Sequence, residues 1–354
     1  MIRPMSLAAR AVLAASVICI AATAYAQIGY GVNSANQLFR FDVNAMAPAP
    51  VINIGAPLPF LPEGIDFRPS SSTLYALDVG PNTTQLYTIN INTGVPTAVG
   101  AGFNSTGPGY DLTTSTAFGF DFNPKTLQPD TSMRIRLVNT SNQNLRLNSN
   151  TGLIEDIDSA LHIGTNSPFV DAVAYINNIA GPVGGITKLY DMDSRNDKLY
   201  TQDPPNTGDL TEVGAFGATV DGITRMHFDI FTVQNDADTT IGGDFGYAVY
   251  KRPDAPIGGT APLGSYMLYN VNLATGQTLI GRLVGDATTP ANFDGGFAVL
   301  PFPVPEPSCA MLIGLALCGW SFARGPRRSE ASQRRQDASN TRAVNRTFSG
   351  RGKS

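Results

Sequence analysis

The sequence of 354 residues is poor in cysteine, histidine and tryptophan, with three, two and one of these residues. The cysteines, Cys19, Cys309 and Cys318, all lie near the two ends. The long segment between them therefore has neither a disulfide nor a thiolate metal site, and its stability must come from the size of its core. The histidines, His162 and His227, lie far apart without a ligand-spaced companion, which argues against a histidine-based zinc site or a serine triad.

Basic residues and helix formers are also scarce in the central segment, residues 27–304. It contains 13 Lys and Arg against 25 Asp and Glu, a formal charge of −12. An acidic body argues against nucleic acid and anionic membranes as partners, and is compatible with metal ions, neutral sugars or basic partners. Only three glutamates and four lysines occur there, whereas short alternating apolar runs are separated by Gly, Thr, Asn, Asp and Pro. This pattern predicts an all-β domain.

The first 26 residues have the features of a secretory signal peptide. Arg3 and Arg10 precede a short apolar stretch, and Ala24 and Ala26 provide the small residues that signal peptidase requires. Cleavage after Ala26 would leave Gln27 as the mature start. The apolar stretch is short for a retained membrane anchor, which is the alternative interpretation. Export across the inner membrane is therefore predicted, with signal peptidase as a partner.

One phrase recurs along the central segment. "LYTININTG" (residues 86–94) is repeated as "LRLNSNTG" and "LYNVNLATG", and more loosely as "LFRFDVNA" and "LYDMDSRND". Each copy predicts a strand that enters a tight turn, since Asn, Thr and Gly supply the turn conformations. A short strand that ends in glycine, such as "TAVG", often follows the turn. A second phrase, "GIDFRP" or "GFDFNP", precedes some copies.

Together these phrases describe units of four short strands. The five copies begin at residues 38, 86, 145, 189 and 268. Such units cannot bury their faces alone, and five of them predict a five-bladed β-propeller over residues 27–302. The mature start, "IGYGVNSANQLFRFDV", lacks a first strand that "NFDGGFAVLPF" near the other end could supply, which would close the ring and remove its free edges. A β-sandwich or a solenoid is the alternative.

The same phrases resemble a bacterial family, the "domain of unknown function 4394". The resemblance is carried by "GIDFRP", "GFDFNP", "QNLRLNSNTG" and "LYDMDS…LYTQDPPNTGDLTEVGAFG", and extends over most of residues 27–301. It implies an exported, propeller-like domain. It implies no activity, and no site residues are transferred from it.

The segment from residue 303 to 323 resembles a PEP-CTERM sorting signal of Gram-negative bacteria. It begins with Val304, Pro305, Glu306 and Pro307 and continues into an apolar run. The resemblance implies transient membrane anchoring and processing by an exosortase-type membrane transpeptidase, with release to the cell surface or the extracellular space. The apolar run of 15 residues is short for a spanning helix, and an ordinary short anchor or a buried core segment is the alternative.

A basic tail, residues 324–354, follows the apolar run. It contains 9 basic and 2 acidic residues and is otherwise rich in Ser, Asn and Gln. This composition predicts a disordered tail on the cytoplasmic side, because basic residues are retained there and would leave the preceding domain outside.

Four aspartates occupy similar positions in predicted first strands: Asp66, Asp121, Asp229 and Asp294. In a closed ring the first strands line the central channel, so these carboxylates could converge and bind calcium. The alternative is that each carboxylate accepts a hydrogen bond from backbone N–H between blades. Paired carboxylates could also hydrolyse a glycosidic bond. Beyond calcium, the sequence indicates no cofactor.

Two further acidic loops look like loose calcium sites, "DMDSRND" and "QNDADTT". Both lack the EF-hand spacing, and solvated turns are the better interpretation. No catalytic residue is identified. The sequence therefore predicts a non-catalytic binding or structural protein of the envelope, with surface polysaccharide as a candidate partner. The alternatives are a glycoside-active propeller enzyme and a calcium-stabilised adhesin.

Overall fold

The computed structural model is almost entirely β-structure. It describes the following residues: 25–45, 49–125, 132–179, 187–217, 219–220, 225–234, 241–251, 264–286, 288–301 and 304–305. Within these ranges the strands form five four-stranded antiparallel sheets, each built from neighbours in sequence except for one strand of the first sheet. The predicted all-β five-bladed propeller is therefore confirmed, and the sandwich and solenoid alternatives are excluded.

Each blade runs from the ring axis outward through four strands. Blade 1 is Phe297–Val299, Ile28–Val32, Leu38–Asp42 and Ile52–Asn53; blade 2 is Gly64–Arg68, Thr73–Val79, Thr83–Ile89 and Pro96–Asn104; blade 3 is Phe118–Phe122, Arg134–Asn139, Asn144–Asn148 and Ile154–Ile157; blade 4 is Val170–Tyr175, Leu189–Asp193, Lys198–Gln202 and Leu210–Ala215; blade 5 is His227–Gln234, Ile241–Lys251, Tyr266–Val271 and Thr278–Leu283.

Short elements complete the described part of the chain. After blade 2, strand Thr106–Gly107 pairs with Tyr110–Asp111 and leads into a 3-10 turn, Leu112–Thr114. The carboxylate of Asp111 caps that turn by accepting from Thr113 N at 3.0 Å. Two-residue strands also occur at Tyr25–Ala26 and Val304–Pro305.

Blade 1 is assembled from both ends of the domain. Its innermost strand pairs antiparallel with Ile28–Val32, so that Gly29 lies opposite Val299 and Gly31 opposite Phe297. The Gln27 side chain adds a 2.6 Å hydrogen bond from Nε2 to the Leu300 carbonyl. This arrangement confirms the predicted pairing of the terminal segments. Each innermost strand contacts the innermost strands of both neighbouring blades, which closes the ring.

The hydrophobic core consists of five clusters, one between each pair of adjacent blades. Strand alternation explains this division, because successive side chains point to opposite faces of a blade. In the second strand of blade 2, Leu74 and Ala76 pack toward blade 1, whereas Tyr75 and Leu77 pack toward blade 3. Burial of both faces by neighbouring blades stabilises sheets that would be marginal in isolation.

Glycines at the outer edge allow adjacent blades to approach closely. The turn before the outer strand of one blade lies against the outer strand of the preceding blade. A Cβ on Gly100 in blade 2 would lie 2.0 Å from the Thr151 carbonyl oxygen in blade 3. A Cβ on Gly214 in blade 4 would lie 2.2 Å from the Thr275 carbonyl oxygen in blade 5. The recurring "TG" turns and glycine-ended strands of the sequence are therefore inter-blade contacts.

The copy of the recurring phrase that begins at Leu189 holds a different place in its blade from the other four. It is the second strand of blade 4, whereas the others are third strands. The third strand is Lys198–Gln202, and its turn contains Gly208, which approaches the Ala160 carbonyl of blade 3 as the other turn glycines do. Val170–Tyr175 is the innermost strand of this blade.

The described residues contain no helix that is both long and apolar enough to cross a membrane. Several predicted features lie outside the described residues: most of the signal peptide, including Ala24; Glu306 and Pro307 with the apolar run; and the basic tail. The acidic loop with Asp236 and Asp238 lies outside them as well. The corresponding domain boundaries stay predictions.

Candidate metal centre at the ring axis

Three aspartates on innermost strands point from one blade to the backbone of the next. Oδ2 of Asp66 in blade 2 accepts from Phe122 N in blade 3 at 2.7 Å. Oδ2 of Asp121 in blade 3 accepts from Tyr175 N in blade 4 at 2.9 Å. Phe122 directly follows Asp121, and Tyr175 directly follows Ala174, so each aspartate bonds to the residue after its counterpart in the next blade. Asp66, Asp121 and Ala174 therefore occupy equivalent positions around the ring.

A third hydrogen bond of the same kind identifies the equivalent positions in the two remaining blades. Oδ2 of Asp229 in blade 5 accepts from Val299 N in blade 1 at 2.6 Å. The equivalent residue of blade 4 is Ala174, which precedes Tyr175, and that of blade 1 is Ala298, which precedes Val299. The five positions around the axis therefore hold three aspartates and two alanines.

The alanines explain the remaining hydrogen bonds of the aspartates. An alanine cannot accept from the next blade, so the N–H of that blade needs another partner. Ala174 of blade 4 offers no acceptor to the Ile230 N–H of blade 5, which donates instead to Oδ1 of Asp229 at 2.6 Å. Ala298 of blade 1 likewise offers none to the Phe67 N–H of blade 2, which donates to Oδ1 of Asp66 at 2.6 Å. Asp66 and Asp229 thus accept with both oxygens, and Asp121 accepts with Oδ2.

The three carboxylates form a tight buried group, which we call the axial triad. Their ligand oxygens lie within 4.8 Å of one another, and the residues are 1%, 2% and 2% exposed. Burial raises the pKa of Asp66 and Asp121 well above the usual range, and the neighbouring carboxylates raise it further. Burial raises the pKa of Asp229 to about 7. An oxygen-only set of this kind suits a hard cation such as calcium or magnesium.

A cavity lies beside the axial triad, at the level of the innermost strands two residues before the aspartates, where most side chains are small. The positions two residues before the five axial ones are held by Gly64, Gly119, Ala172, Gly296 and His227. A cavity of about 10 Å³ lies at this level, lined by four of these residues and by immediate neighbours of all three aspartates. A space of this size admits one water molecule.

His227 is the one large side chain at this level. It is 6% exposed, and its Nε2 has no hydrogen-bond partner in the described part of the chain. Burial lowers the pKa of His227 to about 4, Arg225 lowers it further, and the backbone of Phe293 opposes the shift. The imidazole is therefore neutral at physiological pH. The sequence argued against a zinc site at His227 but did not reveal its axial position, which its spacing of two from Asp229 could have indicated.

The fourth predicted aspartate, Asp294, lies elsewhere. It precedes the innermost strand of blade 1 by three residues, is half-buried, and accepts from the Tyr266 hydroxyl at 2.6 Å. The position expected for it is occupied by Ala298. The structure thus brings together Asp66, Asp121 and Asp229, but not Asp294. Whether an ion binds the three stays a prediction.

Only the second half of the "DMDSRND" segment is the solvated turn that was expected, with Arg195 and Asn196 exposed and Asp197 half-buried. Asp191 and Asp193 belong to the second strand of blade 4 and are fully buried. Asp193 accepts from Phe169 N, Arg195 N and Asn196 N at 2.9–3.0 Å. These backbone donors commit its carboxylate to holding the turn.

Asp191 is chemically different from its neighbours. Neither of its oxygens has a hydrogen-bond partner among the described residues. Burial raises its pKa to about 8, and Arg136 opposes the shift. Asp171 on the adjacent strand is also buried, and burial raises its pKa to about 8 as well. The sequence pattern indicated a buried role for neither residue.

A polar network joins blades 3 and 4 around Arg136, which is 2% exposed. Its Nη1 donates to Asn144 Oδ1 at 2.6 Å and to Asp158 Oδ2 at 2.7 Å. Its Nη2 donates to Asn206 Oδ1 at 2.9 Å, and its Nε lies 3.4 Å from the Tyr175 hydroxyl. Charge-assisted bonds thus replace part of the apolar core at this interface.

The fold and the axial triad define a five-bladed β-propeller with buried acidic residues at its axis. Residues 61–292 match the family described as "Domain of unknown function (DUF4394)". The chain belongs to this family, as the resemblance predicted. No curated protein matches the sequence.

Among solved structures, the chain is similar to one in "Crystal structure of Nidogen/Laminin Complex", with 10% identity, a TM-score of 0.40, and coverage of 77% of this chain and 98% of that chain. It is also similar to a functionally unknown protein from Desulfotomaculum acetoxidans DSM 771, with 13% identity, a TM-score of 0.36, and coverage of 81% and 91%.

Proposed function

We propose that this protein is an exported, non-catalytic propeller that has a binding or structural role in the bacterial envelope. The observation that carries the non-catalytic part is the arrangement of the axial triad. All three carboxylates are buried, and each accepts from the backbone of the next blade. These bonds join the blades of the ring, which is a structural role.

Glycoside hydrolysis requires a different arrangement. The two carboxylates of such an enzyme flank an open cleft that admits the sugar. The axial triad is buried, and the cavity beside it has a volume of only about 10 Å³. A sugar ring cannot enter a space that admits one water molecule. The geometry therefore favours the structural role over the enzyme alternative.

A surface groove supports the binding part of the proposal. It lies between blades 4 and 5 and has a volume of about 690 Å³. Its lining combines apolar side chains with hydroxyl, carboxylate and ammonium groups, which include Thr201, Glu212, Asp244 and Lys188. A surface polysaccharide could be bound through such groups by hydrogen bonding. Delivery by signal peptidase and an exosortase-type transpeptidase rests on residues 1–26 and 303–323 of the sequence.

The delivery proposal is tested with the full chain in a Gram-negative host that has an exosortase. The mature protein should begin at Gln27, lack the basic tail and appear at the cell surface or in the medium. A matched variant with Pro305, Glu306 and Pro307 replaced by alanine should stay in the inner membrane. Unchanged release of this variant would contradict the sorting role.

The binding proposal is tested with the released protein and purified exopolysaccharide. Co-sedimentation without new reducing ends is expected. Release of reducing ends that is abolished by Asp121→Asn would contradict the non-catalytic role and favour the enzyme alternative.

A further inference from the structure

Opposing forces act on the axial triad. Asp66 and Asp229 each accept two backbone N–H bonds at 2.6–2.7 Å, which favours their ionised forms. Burial and the short distance between the carboxylates favour protonation. In the described part of the chain, no Lys, Arg or His side chain bonds to any of the three. A positive charge at the axis would remove this conflict.

His227 provides a second and independent indication of a ligand. Since Nε2 lacks a partner among the described residues, the bond from the ring to the Phe293 backbone involves Nδ1. Nε2 is therefore an unsatisfied atom of a residue that is 6% exposed and lines the cavity beside the triad. A water molecule in that cavity would satisfy it.

The axis therefore holds three clustered carboxylates and, beside them, the unpartnered Nε2 atom of His227. We propose that it holds one hydrated divalent cation of the calcium and magnesium class. Asp66, Asp121 and Asp229 bind the ion, and one of its water ligands occupies the cavity and donates to His227 Nε2.

The geometry of the triad admits such an ion. Calcium binds oxygen at about 2.3–2.6 Å, so an ion can contact oxygens on opposite sides of it that are up to about 4.6–5.2 Å apart. The triad oxygens lie within 4.8 Å of one another. A bound water polarised by the cation is a strong donor, which suits the unpartnered Nε2 of His227.

The proposal goes beyond the envelope role and does not depend on it, because the site is inside the ring wherever the protein is delivered. The rival occupant is a proton shared among the carboxylates. Both occupants neutralise the triad, but only the cation makes stability depend on calcium or magnesium.

The test is thermal unfolding of the released, metal-stripped protein with calcium chloride, magnesium chloride or chelator, together with metal analysis of the protein as isolated. The test variant is Asp121→Asn, because the asparagine carbonyl can still accept from Tyr175 N while one negative charge is lost. The matched control is Asp191→Asn, an equally buried aspartate outside the triad. His227→Ala is a second variant that keeps all three carboxylates.

We expect about one ion per chain, and a rise in Tm of about 5 °C or more at an ion concentration of about one hundred times Kd. Asp191→Asn should keep this shift, Asp121→Asn should lose most of it, and His227→Ala should bind the ion several-fold more weakly. The proposal is overturned if neither ion changes the Tm of the parent protein and no metal is found. An equal shift in parent and Asp121→Asn would likewise overturn it, since the ion would then bind elsewhere.

Discussion

The glycine contacts at the outer edge of the ring can be tested by one substitution and a matched control. Gly100 in the outer strand of blade 2 has φ +68°, and a Cβ there would lie 2.0 Å from the Thr151 carbonyl oxygen of blade 3. Gly164 has a similar φ of +58°, but a Cβ there would meet no atom within 4 Å. Alanine at either position has the same backbone strain, and only Gly100→Ala also forces two blades apart.

The expected magnitudes follow from these two effects. A left-handed conformation costs an alanine about 1–2 kcal/mol, which applies to both variants. Overpacking against a fixed backbone atom adds about 1–3 kcal/mol at Gly100 alone. We therefore expect Gly164→Ala to lower the free energy of unfolding by about 1–2 kcal/mol and Gly100→Ala by about 2–5 kcal/mol.

Urea unfolding of the released protein, followed by far-UV circular dichroism, measures both values under one condition. The slope of the transition should be unchanged, because the surface exposed on unfolding is the same. Equal destabilisation of the two variants, to within about 0.5 kcal/mol, would refute the inter-blade contact as the reason for glycine at this position. A larger loss in Gly164→Ala would refute it more strongly.

Three further predictions concern buried groups. Burial raises the pKa of Asp191 to about 8 in the folded protein, whereas the pKa in the unfolded chain is near 4. Between these values the folded protein keeps a proton that the unfolded chain has released, so the free energy of unfolding falls by about 1.4 kcal/mol per pH unit as the pH rises from about 5 to 8. Asp191→Asn should therefore flatten a plot of unfolding free energy against pH, and an unchanged slope would contradict the shift. Arg136→Met should lower the unfolding free energy by about 3–5 kcal/mol because buried acceptors lose their partner. Removal of the half-exposed Lys198, which pairs with Glu212, should cost less than about 1 kcal/mol. Equal losses in a urea titration would argue against the network. Phe297→Ala should cost about 3–5 kcal/mol in the same titration by opening a cavity where the ring closes, and a loss below about 1 kcal/mol would mean that this blade contributes little to stability.

The fold could be predicted because its signals are local and repeated. Turn glycines such as Gly94 and Gly152 recur at corresponding places, and alternation in the strands between them marks both faces of each blade as buried. The strands of blade 4 are harder to place from sequence because two of them contain the same Leu-Tyr pair, at Leu189 and Leu199. Only pairing of the strands in space separates these two copies.

The candidate site was harder to predict from sequence. Asp66, Asp121 and Asp229 share the pattern of an apolar residue, aspartate and an apolar residue, which identified them. Asp294 was included by the same pattern, although a turn separates it from the strand. Which carboxylates meet depends on the register between blades, and two of the five equivalent positions are alanines that no acidic motif could reveal.

The closure of blade 1 has a consequence for how the whole ring unfolds. In a linear array of repeats each unit contacts only its neighbours, and the array can fray from either end. In this ring the strand Phe297–Val299 is hydrogen-bonded to Ile28–Val32, so there is no terminal blade from which fraying can start. Loss of any one blade exposes two of the five core clusters at once. We therefore expect the ring to unfold as one cooperative unit rather than blade by blade.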